Sequence, residues 1–453
     1  MTLRRWLGAA KQTMQVDSMT VAGTWLAGEK ITFTIANLDV TVTVGSLVTT
    51  AQVATTIVEA WEALGFTDTT AVCDPTIANG GLKSVPQFSE IAAAVDTVNT
   101  SKVIFSARTP GKPYTMTSTE NSVSGTAPLV SVTVSNGKWY WDEPDNWSGN
   151  AVPVNSDDVL FDSGDVDCLF TNYGATPANN LITGVAIQPL TFTQTSGYSG
   201  SLGLSPVNRD NASKPYSEYR GLSLTFTNNA ITTTLKFGET TGVGSRRMNM
   251  DSGAGRVTGL VLNTGTRSET SYPTLLWKGS HVSNDWTAEQ GDLGIAYLPG
   301  ETATVATLRV GTETNASAKC YCGSGVTLTT VLTAGSGKLT LNSSPTTLTM
   351  SGLNSEVEQL AGVPASANIW SGVFRFRSVT TLPTALSIGP TGKLDRTGEA
   401  RAATITPVVQ MYEGATLLDP NSSLVFSGGI KVVGGKLGKV TIDAGANRTY
   451  QVA

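Results

Sequence analysis

The feature that most limits what this chain can fold into is a long stretch of short apolar strands broken by turn residues, with no convincing helix for almost 300 residues beyond Gly149. Leu222–Phe226, Leu235–Phe237, Leu260–Leu262, Val305–Val310, Val326–Thr333, Leu339–Leu341, Thr346–Met350, Phe374–Phe376, Leu424–Phe426 and Val440–Ile442 read as strands separated by Gly, Asn and Ser. A loose phrase recurs among them: Ala306-Thr-Leu-Arg-Val310, Thr329-Thr-Val-Leu-Thr333, Thr346-Thr-Leu-Thr-Met350 and Thr380-Thr-Leu-Pro-Thr384. Its starts are 23, 17 and 34 residues apart, the last gap implying one degenerate copy. A period near twenty made of strand and turn predicts a parallel β-helix that buries an apolar stripe and leaves Thr, Ser and Asn ladders outside. A β-sandwich of antiparallel strands is the alternative.

Composition agrees with a β-rich chain. Charged residues make up 14% of the 453 residues, against roughly 25% in an average soluble domain. Apolar residues stand at 40%, so Thr, Ser, Gly and Asn fill the gap, and these suit pleated surfaces and turns better than helices. The net charge of −5 gives no basic footprint for nucleic acid, and Arg246-Arg247 reads as a solvated pair. The four cysteines do not describe a disulfide scaffold. Cys320 and Cys322 would share one face of a strand, and all four read as free, mostly buried thiols. No metal or cofactor is expected. The five-residue apolar stretch before Lys11 is too short for the apolar core of a signal peptide, and no run of 18 apolar residues predicts a membrane span.

Four regions follow from these patterns. Residues 1–19 read as an arm carrying Arg4, Arg5, Trp6 and Leu7, which would dock on a neighbouring subunit or fold back on the chain. Residues 20–135 read as an α+β module. Ile31, Phe33 and Ile35, then Val40, Val42 and Val44, alternate with threonines around Asn37, as a hairpin does. Thr49 and Gln52 form a capping box for a helix whose face is Val53, Ile57, Trp61 and Leu64 and whose end is Gly65. Phe88–Val98 suits a helix or a strand equally well. Val103–Ala107 reads as a strand and Tyr114–Ser118 as its partner across the turn Thr109–Pro113. Residues 136–165 form a Trp-rich junction in which Trp139, Trp141 and Trp147 either cap the open end of the body or stack on sugar rings. Residues 166–453 form the β-helix-like body.

Trp6-Leu-Gly-Ala-Ala10, Gln15-Val-Asp-Ser-Met-Thr-Val-Ala-Gly23, the hairpin and the capped helix resemble a module at the front of phage and prophage structural proteins. There it is followed by a strand and a turn like Thr109-Pro-Gly-Lys-Pro-Tyr114, which favours the strand for Phe88–Val95. Asn146–Phe161 resembles the start of β-helical regions in phage and autotransporter-like surface proteins, and Gly300–Gly311 and Cys322–Val331 are similar to proteins of phage-like gene sets. The resemblance implies a virion component, capsid- or tail-associated. Such a protein is made in the host cytoplasm and assembles as a homotrimer or larger, with other virion proteins as partners. A tailspike-like host-glycan binding or depolymerising protein is the alternative.

Candidate catalytic groups are few. His281 is the only histidine and lies near Asp285 and Glu289, but no Gly-x-Ser-x-Gly elbow accompanies it. Asp157 and Asp158 are adjacent and would point to opposite faces of a strand, whereas Glu356 and Glu358 would share a solvated face. None of these is assigned a catalytic role, and the expected protein is not an enzyme.

Overall fold

The computed structural model describes residues 2–35, 38–45, 49–62, 72–73, 88, 90–171, 189–203, 224–225, 232–239, 247–264, 273–312, 317–379, 385–433 and 440–443. Leu64, Gly65, the Cys73 side chain, Arg246 and the Arg247 side chain, Thr380–Thr384 and the ends of Leu222–Phe226 lie outside the described residues. A small N-terminal unit with one helix is followed by a large, mainly parallel β architecture.

The N-terminal unit holds two antiparallel four-stranded sheets. Lys30–Ile35 pairs with Leu38–Thr43 in the expected hairpin, and Ile31, Phe33 and Ile35 are fully buried. Thr49 and Gln52 make the capping box reciprocally: the Gln52 amide donates to Thr49 Oγ1 at 3.2 Å and the Thr49 amide to Gln52 Oε1 at 3.2 Å. The helix Thr50–Glu62 buries Val53, Ile57 and Trp61. Trp61 packs edge-on to Phe33 and Phe88, and its indole N–H donates to the Ile91 carbonyl at 2.9 Å. Ile91–Val95 is a strand, antiparallel to Lys102–Ala107.

One expected pairing is corrected. Thr117–Asn121 pairs with Lys30–Ile35, not with Lys102–Ala107, whose neighbours are Ile91–Val95 and Val16–Thr20. Tyr114 turns inward: its hydroxyl donates to the Phe105 carbonyl at 3.0 Å, and its amide donates to Gln15 Oε1 at 2.9 Å. The chain after the proline turn is thereby pinned under one sheet and continues into the other.

Beneath that sheet lies an unusual carboxylate. Asp17 is 3% exposed, accepts from Gln15 Nε2 at 3.2 Å, and leaves Oδ1 without a partner. Burial holds its pKa above the ordinary value, against the opposing pull of the hydrogen bond from the Gln15 carboxamide. A folded pKa above the unfolded one makes the protonated form the stable one. Stability is therefore fullest below the unfolded value, near 3.9, and is lost as pH rises through the raised folded value. Asp17→Asn should remove this loss, so that melting at about pH 7 is unchanged or higher while the advantage disappears near pH 4. A variant that melts lower than wild type at neutral pH would contradict the assignment.

In the body, every registered strand pairing among the described residues is parallel, and from Thr232–Phe237 to Pro345–Met350 each strand pairs with the next but one. Ala303–Val310 pairs with Val326–Thr333, which pairs with Pro345–Met350. The intervening Ala318–Cys322 and Lys338–Leu341 pair with each other. Two columns of parallel strands thus alternate along the chain. The recurring phrase is their register: Thr307, Thr330 and Thr347 are partners, 23 and 17 residues apart. The degenerate copy is Ser366-Ala-Asn-Ile369, whose Ser366 partners Thr347 and then Ala385.

Alternation places an apolar residue inward at each level. One continuous inner row runs Leu308, Val331, Leu348, Ala367, Leu386, Val409 and Ile430, each at most 3% exposed. Upstream the row accommodates a larger side chain by removing a neighbour. Gly259 partners Trp286, and a Cβ there would lie 2.3 Å from the indole. Cys168, Cys320 and Cys322 are buried free thiols, with Cys320 and Cys322 on one inward face.

Candidate functional site

The sequence-predicted sites are dispersed by the fold. The arm does not stand free. Leu3–Arg5 is a parallel strand against Asp158–Phe161, and Val16–Thr20 is an inner strand of the N-terminal unit, so no structural break falls at residue 19. Arg4 Nε lies 3.3 Å from Asp157 Oδ2, and Arg5 lies 3.0 Å from Asp162. Trp6 is 1% exposed, T-shaped to Trp147 at 5.1 Å and tilted on Phe161 at 5.6 Å, with its N–H donating to the Val166 carbonyl at 3.0 Å. The expected docking of Trp6 on another molecule is corrected: its partners are in its own chain. Leu7 remains about half exposed.

Trp141 and Trp147 are also buried, stacked among Trp6, Phe161 and Phe192. They cannot offer ring faces to a sugar. They close the first level of the body, the capping role that the open end of a parallel stack requires. Trp139 is half-buried, with Lys138 Nζ 5.0 Å from its ring. Asp157 is buried and acts as a clamp, accepting from the amides of Thr2 and Val154 at 3.0 and 3.1 Å, whereas Asp158 faces out and accepts from Thr191 Oγ1 at 2.6 Å.

His281, Asp285 and Glu289 share no hydrogen bond or ion pair among the described residues. The His281 ring accepts the Ser283 amide at 3.1 Å within its own turn, and Asp285 stands in the outward row between Thr258 and Thr307. Glu356 and Glu358 share the outer face and are held by Arg375 and Arg377.

The structure assembles one polar cleft that the sequence reading missed. It encloses about 450 Å³ and is lined by Asp251, Lys278, Ser280 and the turn Leu298–Thr302. Asp251 and Lys278 are register partners at the ends of their strands, and Glu301 arrives from the next level. Lys278 Nζ lies 3.8 Å from Asp251 Oδ2 and 3.3 Å from Glu301 Oε1. The second carboxylate oxygens are also occupied: Asp251 Oδ1 accepts from the Gly253 amide at 2.7 Å and Glu301 Oε2 from the Leu298 amide at 3.1 Å. Burial raises the Asp251 pKa, with the Gly253 amide and the lysine pulling it back. Gly279 lets the levels meet, since a Cβ there would lie 2.0 Å from Ser252 Oγ.

The space between the two carboxylates holds an ammonium, where a glycosidase pair would need room for the scissile bond. The arrangement ties neighbouring turns together and presents hydroxyl and backbone groups to solvent. Its only sequence signal is the glycine turn after each strand: Asp251-Ser-Gly253, Lys278-Gly279 and Gly300-Glu301. No group of three or more His, Cys, Asp or Glu able to hold a metal occurs among the described residues, and no described helix is long and apolar enough to cross a membrane. The chain matches no protein-family profile, no curated protein and no solved structure.

Proposed function

We propose that this chain is a structural component of a phage-type virion, capsid- or tail-associated, whose body is a parallel β-helix and which acts by self-assembly and attachment rather than by catalysis. The observation that carries the reading is the continuous in-register inner row from Leu308 to Ile430. A stack of this kind is stabilised level by level and spends its sequence on shape. The outer rows support the same reading: Thr191, Thr234 and Thr258, then Thr307, Thr330 and Thr347, give a weakly charged surface suited to broad symmetric contacts. The N-terminal unit, tied to the first level through Leu3–Trp6, would attach the body to the particle or to sister subunits.

The expected partner is therefore another copy of the chain, in a homotrimer or larger assembly with self-contacts above roughly 1,000 Å². Sedimentation of the purified full chain at micromolar concentration should show that oligomer. A persistent monomer would contradict the proposal.

A further inference from the structure

Seven of the nine tryptophans, Trp6, Trp25, Trp61, Trp141, Trp147, Trp277 and Trp286, are at most 1% exposed. Trp370 is 43% exposed, on the outer face of the strand Ser366–Phe376. Exposing so large an apolar ring forfeits the burial that the other tryptophans obtain. The surroundings of Trp370 are built to hold it there. Its ring centroid lies 5.1 Å from that of Tyr412, at 45°.

These two residues follow Ile369 and Met411, which are aligned through Ile388, so the strand carrying Gly389 runs between them. A Cβ on Gly389 would lie 2.6 Å from Trp370 Cα and Cε3. The glycine therefore lets the indole lie across the middle strand and reach the tyrosine. The register also shifts between Ile369 and Ser371, where the backbone accommodates the ring.

Two residues back along each strand, on the same outer face, stand Asn368, Ser387 and Gln410 in register. Their side chains make no hydrogen bond among the described residues. The surface is thus a two-ring platform flanked by three uncharged, unused amide and hydroxyl groups, about 4.8 Å apart from strand to strand, a row that ends at the exposed Lys431 beyond Gln410.

The geometry points to a carbohydrate-binding platform at Trp370 and Tyr412 for an uncharged stretch of oligosaccharide. The CH face of a pyranose packs on an aromatic ring while its hydroxyls project sideways, where Asn368, Ser387 and Gln410 offer both donors and acceptors. The inference goes beyond the assembly proposal: it shares strands with the inner row but uses only their outward side chains, and polysaccharide retardation and oligomer size are read separately.

The test is affinity electrophoresis of the full chain through gels containing dextran, mannan, a neutral capsular polysaccharide or bacterial O-chain polysaccharide. At least one should retard the protein. Trp370→Ala should weaken that retardation by about tenfold, one decade of dissociation constant. Trp370→Phe should retain most of it, and Gln410→Ala, which leaves the rings untouched, should weaken it several-fold. Sedimentation of each variant should match wild type. Failure of every polysaccharide to retard the wild-type chain would overturn the inference. So would retardation unchanged in both Trp370→Ala and Gln410→Ala, or a Trp370→Ala variant whose defect is loss of the oligomer, which would make the platform a self-interface.

Discussion

Replacing Trp6 by alanine is expected to destabilise the body by about 3–5 kcal/mol, the range for emptying a buried aromatic site. The size follows from what the indole holds together. It is 1% exposed, packs on Trp147 and Phe161, and its N–H satisfies the Val166 carbonyl. It also follows directly on the strand Leu3–Arg5, whose pairing with Asp158–Phe161 covers the first edge of the parallel stack. Removing residues 2–12 would uncover that edge and strip Asp157 of its Thr2 and Arg4 partners, leaving the Val154 amide on a carboxylate that the arm covers in the intact chain. Chemical denaturation measures the loss. A Trp6→Ala variant within about 1 kcal/mol of wild type would mean that the first level closes without the arm.

The second large effect is expected at Arg396, which is fully buried near the other end of the body. Its guanidinium donates to Ser423 Oγ at 2.7 Å, to the carbonyls of Phe376 and Ser378 at 2.9 Å each, and to the carbonyl of Arg401. It also lies 5.1 Å from the centroid of the Phe376 ring. Burial pulls its pKa down, while the charges of Glu399 and Asp419 oppose that shift. One side chain thus ties together groups from successive levels, and Ser423 Oγ passes the contact on by donating to Asp419 Oδ1 at 2.7 Å.

Arg396→Ala should cost about 3–5 kcal/mol, because it takes a charged donor fork from the Phe376 and Ser378 carbonyls and opens a cavity in a fully buried site. Arg396→Lys should recover little, since an ammonium on a flexible stem cannot reproduce the planar fork. Hydrogen exchange should show the loss concentrated in Phe374–Leu424. Equal stability of all three proteins would show that water replaces the fork without penalty.

Much of this architecture was legible in the sequence because it is local. The recurring phrase at Ala306, Thr329 and Thr346 gives the register directly, since each level repeats the same inward and outward choice. The capping box at Thr49 and Gln52 is readable for the same reason: both partners lie within one turn of helix. The arm's destination was not legible, because Trp6 meets Trp147 and Phe161 across about 140 to 155 residues, and an isolated Trp beside two arginines suits an external partner equally well. The Tyr114 segment misled for a related reason. A proline turn after a strand suggests a hairpin, and only the buried Gln15 carboxamide diverts the chain to the other sheet. The cleft at Lys278 and the platform at Trp370 arise from stacking levels of unequal length. Turns of 17 to 27 residues set which side chains become neighbours, and no spacing in the sequence announces it.

The central claim, a parallel β-helical body that works through assembly, is tested most directly by an electron cryo-microscopy reconstruction of the purified full chain. The account predicts a homotrimer or larger assembly in which each body shows strands stacked about 4.8 Å apart along one axis, with the Trp6, Trp141 and Trp147 cluster closing its first level. A monomer, or bodies built as two facing antiparallel sheets, would contradict it.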